Sequence, residues 1–320
     1  MKKAHGNYVL VTAAYNEEAL IELVVQSVIQ QAVLPERWIV VSDGSTDRTD
    51  SIVESYAARH SFIQLLRLKK EHKRNFGAQV HAINEGCKEL KDIQYDYIGN
   101  LDADVSFDPE YFGELLDHFE RDAKLGLAGG FITEERDGIF LSRKHNRIDS
   151  VAHAVQLFRR ECFESVGGYM PLKYGGPDWH AGVLARMKGW RVESIPELRV
   201  RHHRPTGTAD RWQRDCFRQG CMDFSLGSHP VFELVKCLRR MPDNPVVLGA
   251  LTRLAGFAWC YWTRQQREVS REFEEFLRRE QMGRVRRLLS PWANSKDRRL
   301  SELSPDATRG VRGNVAKGSA

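Results

Sequence analysis

Short apolar runs alternate with stretches of helical spacing along the first half of the chain. Four strands are predicted from the apolar runs, over Tyr8–Ala13, Trp38–Val41, Phe62–Leu66 and Tyr95–Asn100. Three helices are predicted between them, over Glu17–Gln31, Asp47–Arg59 and Phe76–Leu90. Strands that alternate with helices form a parallel sheet with helices on both faces. The pattern therefore predicts an α/β fold, with a mostly parallel sheet flanked by helices.

The second half of the chain is less regular. The predicted elements are a hairpin or strand pair over Phe131–Phe140, a strand over Ala154–Phe158, a short helix that ends at Gly167-Gly168, a helix over 179–188 and a strand over 190–195. Beyond Pro230 the pattern is helical. We expect one domain over 1–229, with halves 1–105 and 106–229, a helical extension over 230–299 and a disordered tail over 300–320.

Composition and charge narrow the classes of function. Of the 320 residues, 42% are hydrophobic and 28% are charged, which is typical of a soluble globular protein. The net charge is +5, but residues 264–320 hold 14 Lys or Arg and 8 Asp or Glu, so the rest carries about −1. A body without basic character argues against a nucleic-acid partner. The six cysteines form no CxxC pair and the N-terminus is polar, so we expect reduced thiols in a cytoplasmic protein.

Polar clusters follow three of the predicted strands. They are Tyr15-Asn16-Glu17, Asp43-Gly44-Ser45 and Asp102-Ala103-Asp104. Ligands of such sheets bind beyond the carboxyl ends of the strands, so the three clusters should converge on one edge. Their convergence predicts a binding site at that edge.

The acidic residues in these clusters have two interpretations. Asp102 and Asp104, turned toward the crevice, offer hard oxygen ligands for Mg²⁺ or Mn²⁺ shared with substrate phosphates. An Asx turn or a helix cap before Pro109 explains the same pair without a metal. Asp43 can accept hydrogen bonds from a ribose hydroxyl or a base edge, while residues 45–47 cap the following helix.

Four short motifs, in this order and each at a strand end, resemble those of family 2 glycosyltransferases. They are Val11–Glu18 (VTAAYNEE), Ser42–Asp47 (SDGSTD), Asn75-x-Gly77 and Asp102–Asp104 (DAD). The resemblance covers roughly residues 7–225. It implies a GT-A fold, which is Rossmann-like, with a donor-binding first half and an acceptor-binding second half. It also implies a divalent cation, Mg²⁺ or Mn²⁺, and a UDP- or GDP-sugar as co-substrate.

The resemblance also implies roles for single residues. Donor binding would fall to Ala13, Tyr15, Glu17, Asp43, Arg74 and Asp102, with Lys73 as a further phosphate contact. Asp104 would bind the metal. Either His202 or His203 would join it there, and the sequence does not choose between the two.

Later positions match the family as well. Arg159–Tyr169 looks like its acceptor-side strand, helix and GG turn, and Gly176–Trp179 stands in the place of its ED-type motif. The resemblance makes Asp178 the general base that takes the proton of the acceptor hydroxyl in an inverting transfer. This chain has Pro-Asp where many relatives have Glu-Asp. Trp179 either stacks on a sugar or belongs to the core of the following helix.

The QxxRW motif of processive family members is missing, since Cys216–Cys221 stands in its place. We therefore predict a hexosyltransferase that adds one sugar at a time to a hydroxyl of a saccharide or lipid-linked acceptor, in surface polysaccharide or glycan biosynthesis. The alternative is a degenerate glycan- or nucleotide-binding protein without transfer activity. A nucleotidyltransferase is more remote, because the turn after the first strand is acidic and lacks glycine.

A 17-residue segment, Val246–Trp262, is apolar except for Thr252 and Arg253. A spanning helix needs about 20 apolar residues, and a central arginine is costly in a bilayer. We therefore expect a buried or interfacial helix. Aromatic residues at its end, followed by a basic region, suit peripheral attachment at the cytoplasmic face of a membrane. Packing on the catalytic domain is the alternative.

Overall fold

The computed structural model describes residues 5–69, 76–136, 139–143, 146–204 and 212–289. Within these ranges nine strands form one sheet: β1 Tyr8–Ala14, β2 Arg37–Asp43, β3 Ile63–Leu68, β4 Tyr97–Leu101, β5 Val105–Phe107, β6 Leu125–Arg136, β7 Ile139–Ser142, β8 Val155–Arg159 and β9 Arg191–His202. Ten helices accompany them: α1 Ile21–Ile29, α2 Thr49–Ala57, α3 Phe76–Lys88, α4 Tyr111–Arg121, α5 Arg160–Val166, α6 Pro177–Met187, α7 Trp212–Ser225, α8 Pro230–Arg239, α9 Leu248–Trp262 and α10 Arg271–Leu289.

The first four strands form the parallel sheet that the sequence predicts. Their order is β3-β2-β1-β4, with every neighbouring pair parallel. Central strand β1 is apolar on both faces because it is buried on both: Tyr8 and Leu10 belong to one core cluster, Val9 and Val11 to the other. The carboxyl ends of these strands therefore meet at one edge, as predicted.

The second half extends the same sheet, and the sheet becomes mixed. β8 pairs antiparallel with β4, and β6, β9 and β5 follow, with the predicted hairpin formed by β6 and β7. Two registers bring the second half to the carboxyl edge. Leu101 pairs with Val155, so β8 begins where β4 ends. Val105 pairs with His202, so β9 ends beside the residues that follow β4.

Some element boundaries differ from the prediction. The first helix begins at Ile21 rather than Glu17, because the chain first forms a turn in which the Leu20 N–H donates to the Glu17 carbonyl three residues earlier (2.9 Å). The second begins at Thr49, whose N–H donates to Asp47 Oδ1 (3.0 Å). Helix α4 is missing from the sequence prediction, although its buried positions have helical spacing.

The apolar C-terminal segment forms helix α9, which packs on α7. The two backbones approach closely, because a Cβ at Gly256 would lie 2.1 Å from the Phe217 carbonyl oxygen. Arg253 is buried in this interface and pairs with Asp223 (Nη2–Oδ2 2.5 Å) and Glu233 (Nε–Oε1 3.2 Å). The arginine of the apolar segment thus points into an internal ion network. No described helix is long and apolar enough to cross a membrane.

Helix α10 lies within the predicted helical extension and packs on α6. His180 of α6 stacks on the Phe273 ring at 4.9 Å, and Arg186 makes a two-pronged ion pair with Glu280 (2.8 and 3.1 Å). The domain boundary at residue 229 stays a prediction; α8 begins at Pro230. The predicted tail over 300–320 lies outside the described residues.

Candidate active site

The turns after β1 and β2 hold one another at the carboxyl edge. Asn16, with φ of 54°, accepts the Thr46 N–H on Oδ1 (2.8 Å), and its own N–H donates to Ser45 Oγ (3.2 Å). The Glu17 N–H donates to Thr49 Oγ1 (2.8 Å). These bonds set the two turns side by side. Three predicted donor-binding residues are half-buried beside these turns: Ala13 near the end of β1, Tyr15 directly after it and Asp43 at the end of β2.

Asp102 follows β4 and is held from two sides. Its Oδ1 lies 3.1 Å from His153 Nδ1 and accepts a hydrogen bond from Gln79 Nε2 of α3 (3.2 Å). Its N–H donates to the carbonyl of Ala154, the residue before β8 (3.0 Å), so its backbone is fixed as well. Asp102 is therefore oriented by two different parts of the chain, α3 and the segment that leads into β8.

Asp104 lies between β4 and β5, almost completely buried. Its Oδ1 is 3.4 Å from His202 Nε2, and its Oδ2 is 3.8 Å from Arg204 Nη1. Asp102, Asp104 and His202 each offer a ligand atom, and these three atoms lie within 4.8 Å of one another. The structure thus brings two predicted carboxylates and one predicted histidine into a single cluster.

The two carboxylates differ in their electrostatics. Burial would raise the pKa of Asp102, but the charge and hydrogen bond of His153 outweigh burial and lower it. Burial and the neighbouring charge of Asp102 raise the pKa of Asp104 to about 6. A divalent cation would relieve this repulsion, because it attracts both carboxylates.

The donor set of the cluster fits such a cation. Asp104 Oδ1 is buried and has no hydrogen-bond partner among the described residues. A buried carboxylate oxygen without a partner costs free energy unless a ligand pairs with it. Carboxylate oxygens and an imidazole nitrogen suit Mg²⁺ or Mn²⁺.

The two adjacent histidines have different surroundings. His202 faces the carboxylates, as described above. His203 Nε2 lies 2.7 Å from Ser106 Oγ, and its ring meets the Phe140 ring edge to face at 5.4 Å. His203 is therefore outside the cluster, because consecutive side chains at a strand end point to opposite sides.

Glu17 forms an ion pair with a residue that is missing from the sequence prediction. Arg204 follows His203 and forms a two-pronged ion pair with Glu17, at 3.0 Å and 2.5 Å. The same guanidinium lies near Asp104. Glu17 thus contributes to the site by holding Arg204, which joins the turn after β1 to the end of β9.

Asp178 lies in the first turn of α6. Gly176, with φ of 87°, precedes the helix, and Pro177 occupies its first position. Asp178 Oδ2 accepts the backbone N–H of His153 (3.2 Å). Trp179 meets the Phe273 ring of α10 at 6.4 Å, so it belongs to the packing between α6 and α10.

His153 contacts both Asp102 and Asp178 and is missing from the sequence prediction. It comes two residues before β8, whose antiparallel pairing with β4 carries it to the carboxyl edge. The sequence shows only a histidine at the start of a predicted strand. The order of the strands in the sheet decides which residues surround it in space. Two predicted donor contacts, Lys73 and Arg74, lie outside the described residues.

Several known proteins are similar to this chain, among them one synthase and two solved structures. The poly-beta-1,6-N-acetyl-D-glucosamine synthase of Staphylococcus epidermidis is 28% identical over 118 residues, which is 37% of this chain and 26% of that enzyme. The mannosyltransferase PcManGT from Pyrobaculum calidifontis, solved in complex with GDP-Man and Mn²⁺, has a TM-score of 0.53 at 18% identity, covering 91% of this chain and 84% of its own. GalNAc-T7, solved with UDP, GalNAc and Mn²⁺, has a TM-score of 0.52 at 15% identity, covering 70% of this chain and 51% of its own.

The two solved structures share the GT-A fold with this chain, and the synthase match spans about a quarter of that relative's length. The family model described as Glycosyl transferase family 2 matches residues 9–173. That stretch is more than half of the chain and contains Asp43, Asp102 and Asp104. The chain belongs to glycosyl transferase family 2.

Proposed function

We propose that this enzyme is metal-dependent and inverting, and that it moves one hexose-type sugar at a time from a UDP- or GDP-sugar to a hydroxyl of a saccharide or lipid-linked acceptor. The cluster of Asp102, Asp104 and His202 beside the turns after β1 and β2 carries this proposal. A site for a divalent cation next to a site for a nucleoside is what a diphosphate-linked donor requires. The synthase match supports a role in surface polysaccharide assembly.

The donor side of the mechanism uses charges from both halves of the sheet. Asp104 and His202 would hold the cation, with Asp102 beside them. A bound cation would neutralise the charge that develops on the leaving diphosphate. Asp43 would accept hydrogen bonds from the nucleoside. Arg204, fixed by its ion pair, would present its guanidinium to the diphosphate oxygens.

The acceptor side uses Asp178. In an inverting transfer the acceptor hydroxyl attacks from the face opposite the leaving group and must lose its proton. The Asp178 carboxylate would take that proton. Its Oδ2 accepts the His153 N–H, which restrains the rotation of the carboxylate.

Substitution of Asp178 tests the proposed base. Asp178→Asn keeps the size of the side chain and its hydrogen bond to His153 but cannot take a proton. We expect sugar transfer to fall by about 100-fold or more, since a general base contributes about 10²–10⁴-fold. Stabilisation by UDP or GDP with Mn²⁺ should not change. Sugar transfer is measured as release of the nucleoside diphosphate from UDP- and GDP-sugars in the presence of a saccharide acceptor. Stabilisation by the nucleotide is measured as a thermal shift.

Glu114→Gln is the matched control, because it neutralises an exposed carboxylate in the first turn of another helix, α4. This variant should keep the wild-type rate. A wild-type rate in Asp178→Asn would rule out the base assignment. A wild-type protein that binds a nucleotide and transfers no sugar would point to the degenerate binding protein.

We also propose that the enzyme works at the cytoplasmic face of a membrane. The outer side of α9 exposes Leu248, Leu251, Ala255, Trp259 and Trp262. At 3.6 residues per turn these positions lie within about 80° of one another, so they form one apolar stripe, here called the α9 stripe. Trp262 is 86% exposed, an unusual position for a side chain that gains much by burial.

Charge and thiol chemistry support this location. The single charged residue of α9, Arg253, points inward, so the α9 stripe is uninterrupted. Exposed Arg264 follows the stripe, and residues 264–320 have the basic surplus described above. Tryptophan and basic residues together favour the interface of an anionic membrane. All six cysteines are free thiols, as in a reducing compartment.

A further inference from the structure

One residue touches both sides of the proposed reaction. The His153 imidazole meets Asp102 Oδ1 through Nδ1 (3.1 Å), and its backbone N–H donates to Asp178 Oδ2 (3.2 Å). Its carbonyl accepts a hydrogen bond from Asn100 Nδ2 of strand β4 (2.7 Å). The side chain is 15% exposed. Asn100 Nδ2 also lies 3.2 Å from Nδ1, and the buried Nε2 has no hydrogen-bond partner among the described residues. The ring and the backbone N–H thus contact Asp102 and Asp178, the candidate donor and acceptor carboxylates.

The ring of His153 has little freedom to turn away. It packs at 5.6 Å on the ring of the buried Tyr169, whose hydroxyl donates to Gln156 Oε1 (2.6 Å) in β8. Asn100 holds the backbone from the other side. Since the ring is held in one orientation relative to the backbone, a movement of Asp102 would be transmitted through His153 to the N–H that holds Asp178.

We propose that His153 is a positioning residue that sets Asp102 and Asp178 in one fixed relative orientation. It thereby couples occupation of the donor site to the placement of the base. This inference rests on the proposed function, because it assigns the donor to Asp102 and the acceptor proton to Asp178. His153 acts on Asp102 through its imidazole and on Asp178 through its backbone N–H, and it does not itself contact substrate.

Three substitutions at this position test the proposal by geometry. His153→Asn places an amide nitrogen where Nδ1 stands, so it can still donate to Asp102. His153→Gln places its amide one bond farther along, near the position of Nε2, and His153→Ala has no donor. We expect the dissociation constant of UDP or GDP with Mn²⁺ and the kcat of transfer each to worsen about tenfold in the Ala and Gln variants, the size expected for a hydrogen bond to a charged group. Asn should stay close to wild type.

Tyr169→Phe is the control for loosened packing, because it removes the hydrogen bond to Gln156 and leaves the ring against His153. It should lower the melting temperature without changing the dissociation constant or kcat. If His153→Ala does not fold, the contrast between Asn and Gln still decides the question. Equal values for Asn and Gln would overturn the proposal.

A double-mutant cycle provides the second readout. Asp102→Asn combined with His153→Ala should be no worse than Asp102→Asn alone, because the imidazole acts through that carboxylate. Additive losses would overturn the proposal. Wild-type protein that binds neither UDP nor GDP would overturn the proposed function together with this inference. Wild-type binding and transfer, with no effect at His153, would overturn this inference alone.

Discussion

Asp102 and Asp104 are separated by one residue and have unlike environments. Asp102 is held by His153 and Gln79 and has a lowered pKa. Asp104 has a buried oxygen without a hydrogen-bond partner among the described residues, and its pKa is raised to about 6. Environments that separate the pKa values of two neighbouring carboxylates are typical of functional sites. Asp104 is the carboxylate that gains more from a cation.

Substitution of Asp104 should remove the metal dependence of donor binding. In wild type, Mn²⁺ should strengthen the binding of UDP or GDP. In Asp104→Asn we expect less than a tenth of that effect. Even residues that only support metal ligands change metal affinity by about 10–100-fold, and Asp104 would be a ligand itself. The metal-free variant should be at least as stable as wild type, since repulsion from Asp102 is gone. Calorimetric titration with and without Mn²⁺ measures the first effect and thermal unfolding the second.

Asp108→Asn is the control for Asp104→Asn. The Asp108 side chain is exposed and pairs with Arg201 (2.8 Å), and exposed ion pairs contribute little. In Asp108→Asn, Mn²⁺ should strengthen the binding of UDP or GDP as much as it does in wild type. If Asp104→Asn retains the full effect of Mn²⁺, Asp104 is not a metal ligand.

Single residues could be proposed from the sequence only where their neighbours are close along the chain. Asp102, Asp104 and Asp178 stand in local motifs, so they could be selected as candidates. His153, Gln79 and Arg204 could not, because each reaches the site through pairing between distant segments. The choice between His202 and His203 likewise depends on the register of β9 against β5.

Helices α7 and α9 pack closely because each has a glycine where the two backbones meet. A Cβ at Gly220 would lie 1.9 Å from the Arg253 carbonyl oxygen, and one at Gly256 would lie 2.1 Å from that of Phe217. Backbone oxygens cannot move aside as a flexible side chain can. This approach also brings Arg253 to Asp223 inside the interface. The sequence predicted the helix but not its partner, since one arginine in an apolar run does not reveal a buried ion pair.

The same substitution in two helices should have opposite effects on stability. Gly256→Ala should lower the free energy of unfolding by about 2–3 kcal/mol, because the helices must separate to admit the methyl group. Gly283→Ala in α10 has no atom within 4 Å of the added Cβ, so it should raise that free energy by up to about 1 kcal/mol through helix propensity. Urea unfolding of both variants measures the difference. Equal effects would contradict the close packing.

At the scale of the whole molecule, the first half of the sheet was predictable and the second half was not. Parallel strands joined by helices follow chain order closely, so the pattern of apolar runs yields β1 to β4. The later strands join in the order β8-β6-β9-β5, which no local pattern specifies. The same long-range pairing brings His202 and His153 to the carboxyl edge, so the residues that reach the site beside β8 and β9 were harder to place than those that follow β1, β2 and β4.

The α9 stripe predicts that the protein binds to the surface of an anionic membrane. Wild-type protein should co-sediment with vesicles of phosphatidylcholine and phosphatidylglycerol, more weakly with phosphatidylcholine alone, and less as salt is added. Leu251→Glu and Trp262→Glu should each weaken binding by about tenfold or more, because a charge would enter the apolar layer. Leu34→Glu, at a similarly exposed position outside α9, should bind as wild type does. The rival explanation is that the α9 stripe is a contact between two copies of the chain. In that case sedimentation velocity would show a dimer that Leu251→Glu dissociates, and neither form would bind vesicles.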